Sequence, residues 1–332
     1  MGTHIKRLPL LLMGFVLVAS MVLAVTTSIG AQENDATGGS GLSISPTRTE
    51  LRIEKGASEV IELNVRNITR GPIIAKPVIS DFDADDSTGE PKLRNAGGER
   101  SSASIEPFVK GLEDVQLAPG ENKNISYTVE IPSDAPSGAY YGAIAYRAVP
   151  ANQAGPESGE VALTANVAPL ILIEVPGDIT EQVQVNSVRV SKDGSFGSFF
   201  TSQPNNVAID IKNNGNGFSK PFGTVSITDM SGKEVDSYEL NNSTPRSNVL
   251  PNSSRTFTDA IEGIKKPGRY TVTANVSHGT GGEVLTQKVS FWYLPVWLLI
   301  ALAVLLAGIA GAVYFLYRRQ VGSKKPSKKS SK

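Results

Sequence analysis

Leu294 to Tyr317 reads "LPVWLLIALAVLLAGIAGAVYFLY", twenty-four residues without a charge. At 1.5 Å per helical residue such a run is about 36 Å long, enough to cross a bilayer with some tilt. A helix buried in a soluble core keeps a polar stripe, and this segment has none. Trp292, Tyr293 and Trp297 lie at one border, Tyr314 and Tyr317 at the other. Aromatic rings at both ends are what a spanning helix sets at headgroup level. The tail 318–332 carries seven basic residues and no acid. By the positive-inside rule it stays in the cytoplasm and the preceding residues lie outside the cell.

The opposite end sets the same topology. Lys6 and Arg7 precede an uncharged stretch from Leu8 to Gly30, and small residues lead to the polar "QENDATGGSG". This order fits a signal peptide over residues 1–31, cleaved after Ala31, with 32–41 as a flexible leader. The apolar stretch is also long enough to remain as an N-terminal anchor. Setting aside the basic residues of both ends, the external part holds 23 basic and 32 acidic residues, a net of about −9. Attraction to nucleic acid or another polyanion is not expected from that balance. Cysteine is absent, so the exported part must be held by its apolar cores alone.

Between the two ends the chain alternates with period two. "VIELNVRN" sets Ile61, Leu63 and Val65 against Glu62, Asn64 and Arg66. "NISYTVEIP" and "NVAIDIKNN" repeat the pattern, and turn pairs such as Lys55-Gly56, Pro119-Gly120 and Pro267-Gly268 separate the runs. One polar face on many short strands predicts antiparallel sandwiches. The chain also repeats itself. The unit beginning at Leu117 and the unit beginning at Leu250 each give a turn, an alternating strand, a Pro/Gly corner and Gly-x-Tyr, at Gly138-Ala139-Tyr140 and Gly268-Arg269-Tyr270. The expected class is therefore all-β: two tandem Ig-like β-sandwiches, over 42–176 and 177–292, followed by one C-terminal transmembrane helix, 294–317, and a basic cytoplasmic tail. A tyrosine at that place in Ig-like domains bonds back onto the preceding loop.

"LSISPTRTELRIEKGASEVIELNVRN" followed by "IPSDAPSGAYYGAIAYRA" resembles the first external domain of the WxL-interacting proteins, cell-wall-associated surface proteins of Gram-positive-type bacteria. Ser45-Pro46, Lys55-Gly56 before a strand ending in Asn67, and Gly138-Ala139-Tyr140-Tyr141-Gly142-Ala143-Ile144 carry the likeness. The resemblance implies a first domain tied to peptidoglycan and a second that holds a partner protein on the surface. It transfers no ligand-contact residue.

Equipment for turnover is sparse, and no catalytic residue is assigned. His4 falls in the export signal, which leaves His278 as the one external histidine, expected at an exposed turn. Without cysteine the usual zinc sites and a thiol nucleophile cannot be built. "DFDADDSTGE", Asp81 to Glu90, holds five acids in ten residues. Asp81, Asp83 and Asp85 match the first three ligand positions of an EF-hand loop, but Asp86 stands where glycine is required and Lys92 where a bidentate Glu is required. A solvated turn and a weak calcium site of another geometry are the two readings. Asn-x-Ser/Thr sequons at Asn67, Asn124, Asn241, Asn242, Asn252 and Asn275 read either as glycan acceptors or as turn residues. Ala303, Ala307 and Gly311 at spacing four read either as a homodimer stripe or as part of a lone Ala-rich anchor.

The functional expectation is a membrane-anchored external binding or structural protein of a bacterial surface. Its partner would be peptidoglycan or another surface protein, met at the rim 81–104 with the turns near 132–138. Tyr140, Tyr141 and Tyr146 would either stack on sugar or pack inside. The alternative is an accessory subunit of a membrane assembly, with a hydrolase a distant third.

Overall fold

The computed structural model describes residues 41–85, 87–94, 99–151, 166–279 and 282–322. The export signal, most of the leader and the tail beyond 322 lie outside these residues.

Two Ig-like β-sandwiches follow one another, and a helix closes the chain. In the first sandwich one sheet runs Leu42–Ser45, Ser58–Asn67, Asn122–Glu130, Val109–Lys110. The other runs Arg48–Arg52, Leu170–Val175, Gly138–Pro150, Ile73–Ser80, Val115–Leu117. The second sandwich repeats this order. Val183–Lys192, Asn206–Asn213 and Ser253–Ala260 form one sheet with Ser195–Gly197 at its edge. Phe199–Phe200, Val284–Tyr293, Gly268–Ser277, Phe222–Asp229 and Glu234–Leu240 form the other. In both, a short early strand lies parallel to the last strand: Arg48–Arg52 on Leu170–Val175, and Phe199–Phe200 on Val284–Tyr293. Every other strand pair among the described residues is antiparallel.

The alternating runs bury the faces expected of them. Ile61, Leu63 and Val65 enter the first core while Glu62 and Arg66 face water. Val207, Ile209 and Ile211 do the same in the second, beside Val225, Ile227 and Val272. At about 25 cal/mol per Å² of apolar surface removed from water, such side chains supply most of what a disulfide-free domain needs.

The repeat extends to details. Tyr140 donates its hydroxyl to the Pro136 carbonyl at 2.9 Å, and Tyr270 donates to the Lys266 carbonyl at 2.6 Å. A second repeated device joins Asn67, a strand end and sequon in the sequence, with Asn213. Asn67 and Asn213 close equivalent strands and are fully buried. Asn67 Nδ2 donates to the carbonyls of Gly71 at 2.8 Å, Ala118 at 3.0 Å and Leu117 at 3.3 Å, while its Oδ1 accepts the Thr69 N–H at 2.8 Å. Asn213 Nδ2 donates to Gly217 at 2.8 Å and Val249 at 3.1 Å, and its Oδ1 accepts the Gly215 N–H at 2.9 Å. Each amide thus ties a strand end to carbonyls of the loops that surround it.

The strand Gly138–Pro150 is buried on both faces. Tyr140, Ile144 and Tyr146 point into the first core. On the other face Ala143, with half-buried Tyr141, meets Phe82, Leu172, Leu250 and Phe218 in a cluster that joins the sandwiches. The small outward side chains of "GAYYGAIAYRA" let the second sandwich approach the sheet. Near-continuous apolar sequence is what two-sided burial demands.

Candidate functional site: the cleft between the sandwiches

The junction is built from backbone as well as side chains. Asn216, in the loop after Asn206–Asn213, accepts the Ala139 N–H on its carbonyl at 2.8 Å. Its side chain accepts the Thr180 N–H at 2.7 Å and donates to the Asp178 carbonyl at 3.0 Å. Ser87 O accepts the Thr256 N–H at 3.2 Å, tying the acidic hairpin to the second sandwich. Phe82, Tyr141 and Phe218 form an aromatic row, with ring centres 5.1 and 6.2 Å apart. Of the rim expected to meet a ligand, 81–104 with 132–138, Phe82, Ser87, Gly89 and Ser137 lie against the second sandwich. Phe82 is buried in the interdomain cluster, and Gly89 lies against the Arg255 side chain.

Beside this seam lies a cleft of about 470 Å³. Glu50, Arg52 and Glu174 form its wall on the first sandwich. Glu181, Ser219, Lys220, Arg246, Asn248 and His278 line it from the second. Arg52 pairs with Glu174 at 2.8 Å, Lys220 and Arg48 both contact Glu50, and Arg246 lies over the Phe222 ring at 4.4 Å. Glu181 comes close to Gly279, where φ is 59° and an added Cβ would collide with the carboxylate. Glycine meets both demands at once.

Four polar side chains that line the cleft are more than nine-tenths buried: Asn213, whose amide is bonded, and Ser219, Asn248 and His278. Ser219 Oγ, Asn248 Oδ1 and His278 Nδ1 have no protein partner. Buried polar atoms are normally paired, so three without a protein partner beside one cavity depart from the usual accounting. The volume falls in the range of small-ligand pockets. Burial of His278 overturns the exposed turn expected for it: the strand Gly268–Ser277 delivers it to the domain junction rather than to solvent. Sequence gave no signal for Ser219 or Asn248, because only the packing of two domains brings 50, 219, 248 and 278 together. Ser219 Oγ makes no bond to His278, so no nucleophile–base pair is formed here.

The acidic carboxylates are engaged separately. Asp81 Oδ2 accepts the Ser101 N–H at 2.7 Å. Arg94 grips Asp83 with two bonds, 2.9 and 2.6 Å, and holds its carboxyl below the usual range. Asp85 caps the hairpin between Phe82–Ala84 and Pro91–Leu93, accepting from the Ser87 hydroxyl and from the N–H groups of Thr88 and Ser87. These lower its pKa to about 2. Among the described residues no three His, Cys, Asp or Glu side chains converge as a metal would require.

Of the tyrosines, Tyr146 is fully buried, which pushes its pKa up to about 12. Tyr140 staples its corner, and Tyr141 belongs to the interdomain row. The sugar-stacking face is thus replaced by packing. Asn67 and Asn241 are buried with their amides bonded, so neither can accept a glycan in the folded chain. Ala303, Ala307 and Gly311 lie exposed along the helix Val296–Gly322.

No family model matches the chain, and no curated protein does. Among solved structures it is similar to a chaperone–tip adhesin complex of CFA/I fimbriae, at 16% identity and a TM-score of 0.38, covering 77% of this chain and 99% of that one. It is also similar to the class 5 fimbriae chaperone CfaA, at 16% identity and a TM-score of 0.36, covering 77% and 100%. A third is the CsuC–CsuE chaperone–tip adhesion subunit complex of Acinetobacter baumannii, at 13% identity and a TM-score of 0.33, covering 76% and 98%. Likenesses of this size carry no functional argument.

Proposed function

We propose that the chain is a membrane-anchored external binding protein of a bacterial surface, in the manner of the WxL-interacting proteins it resembles, and that it holds a wall polymer or surface protein in the cleft between its sandwiches. One observation carries this reading: a cleft between the sandwiches has walls that bear charges of both signs, with Ser219, Asn248 and His278 set among them and holding polar atoms that no protein group satisfies. A polymer with hydroxyls, amides, amines and carboxylates matches such a wall. The helix Val296–Gly322, with its long uncharged segment, supports anchoring in the membrane. The carboxylates, the histidine and the serine form no relay that would favour turnover.

Sedimentation with isolated Gram-positive cell wall tests the reading. Full-length protein in detergent micelles should pellet with the wall, and Arg246→Ala with Glu181→Gln should weaken retention about tenfold, the effect of roughly 1.4 kcal/mol. Wild-type protein left in the supernatant would defeat the wall-polymer reading. Recovery of a stoichiometric membrane-protein partner instead would favour the assembly-subunit alternative.

A further inference from the structure

Strand register divides the second sandwich into two ends. Asn213, Ser253, Ser277 and Val284 lie at the end that meets the first sandwich. Lys192, Asn206, Asp229, Ala260, Gly268 and Tyr293 lie at the other, from which the C-terminal helix departs. Outside the helix, the exposed Phe, Trp and Met side chains among the described residues all lie at this second end. They are Phe196 at 50%, Phe199 at 52%, Met230 at 76% and Trp292 at 44% exposure.

These side chains are fixed close to where the helix begins. Phe199 is the register partner of Trp292, and Phe200 of Tyr293. Trp292 N–H donates to Ser198 O at 2.8 Å and Leu294 N–H to Phe200 O at 2.8 Å, two residues before the helix starts at Val296. Arg269 is the cross-strand partner of Trp292, and Arg189 lies over the Phe196 ring at 4.2 Å. Lys265, Lys266 and Arg269 are exposed in the connection and strand at this end. Asp193, Asp229 and Glu234 share the surface, so apolar side chains rather than net charge dominate it.

We propose that this end of the second sandwich is a lipid-docking face, in which Phe196, Phe199, Met230 and Trp292 enter the headgroup layer of the outer leaflet and Lys265, Lys266 and Arg269 meet lipid phosphates. The proposal rests on the reading of Val296–Gly322 as a membrane span. Exposed aromatic and Met side chains are costly in water and stable at the bilayer interface, where aromatic rings with nearby cations collect. Four extended residues separate Trp292 from Val296, about 13 Å at most. The interfacial layer is roughly 5–7 Å deep, so the reach of these side chains brings them to it when the domain leans on its helix.

The chain contains two tryptophans, Trp292 and Trp297, which makes the proposal measurable. Full-length protein is reconstituted into phosphatidylcholine vesicles carrying a spin label on the headgroup or on a shallow acyl carbon. Single-tryptophan variants are made in a W292F/W297F background: F199W, F196W as an independent replicate of the face, and L93W on the first sandwich. A variant retaining only Trp297 reports on the span. F199W and F196W should shift to the blue and lose most of their emission to the labelled lipid, while L93W keeps its own. Quenching of F199W and F196W no greater than that of L93W, with Trp297 quenched, would overturn the docking face and leave the span standing. An unquenched Trp297 would overturn the span, and the docking face with it.

Discussion

The Tyr140 hydroxyl donates to the carbonyl oxygen of Pro136, four residues earlier, at 2.9 Å, and Tyr270 makes the same bond to Lys266 in the second sandwich. The bond fixes the corner leading into the strand that also carries Ala139 and Ala143 to the domain junction.

Tyr140→Phe keeps the ring against Phe108 and removes only the bond, so it should cost about 1 kcal/mol. Tyr270→Phe should cost a similar amount. Urea unfolding would measure both. The first change should lower the midpoint at constant slope, as expected when stability changes without a change in exposed surface.

Asn67→Ala should be more severe, at roughly 2–4 kcal/mol, because it removes the bonds to the Gly71, Leu117 and Ala118 carbonyls and the acceptor of the Thr69 N–H. Asn213→Ala should behave alike, with fewer bonds lost. Asn67→Asp turns a donor into an oxygen facing oxygens and should be worse than alanine at neutral pH. Thermal melts of the three variants would rank them.

Phe218→Ala should loosen the seam between the sandwiches. Phe218 contributes to the cluster of Phe82, Ala143, Leu172 and Leu250, and truncating a half-buried Phe there should cost about 2–3 kcal/mol. Calorimetry should show one transition for the wild-type external part and two for the variant. A single unchanged transition would mean that Asn216 and its backbone bonds hold the junction by themselves.

Asp85 has a folded-state pKa of about 2, below its ordinary 3.8, because Ser87 and Thr88 bond to its charged form. A lowered carboxylate pKa stabilises the fold in full above the ordinary value, and that contribution fades as pH falls from about 4 toward about 2. The melting temperature of Asp85→Ala should therefore lie below wild type by a constant margin near neutral pH. The margin should shrink over that acid window. Asp83, held down by Arg94, adds to the same trend. Because the carboxylates of Asp81, Asp83 and Asp85 are separately occupied, millimolar calcium should leave the melting temperature unchanged.

Period two revealed the sheets because Ile61, Leu63 and Val65 each answer to one core, a relation contained within a single strand. The tyrosine corners were legible for the same reason, with donor and acceptor four residues apart. The cleft was not. Glu50, Ser219, Asn248 and His278 are neighbours only after two domains have folded and docked, and nothing local distinguishes His278 from a histidine at an exposed turn. Asn67 was visible as a strand end and a sequon, but its bonds to Leu117 and Ala118 cross fifty residues. The turn at 132–138 looked free in sequence, since its partner Asn216 lies about eighty residues away.

The strand Val284–Tyr293 runs the full height of the second sandwich and passes into the helix after two residues. Ten extended residues make a post of about 33 Å. His278 sits at one end of that post and the start of the helix at the other. With the helix as the proposed membrane span, that strand becomes a gauge rod: whatever the cleft holds would be kept at one standoff from the lipid.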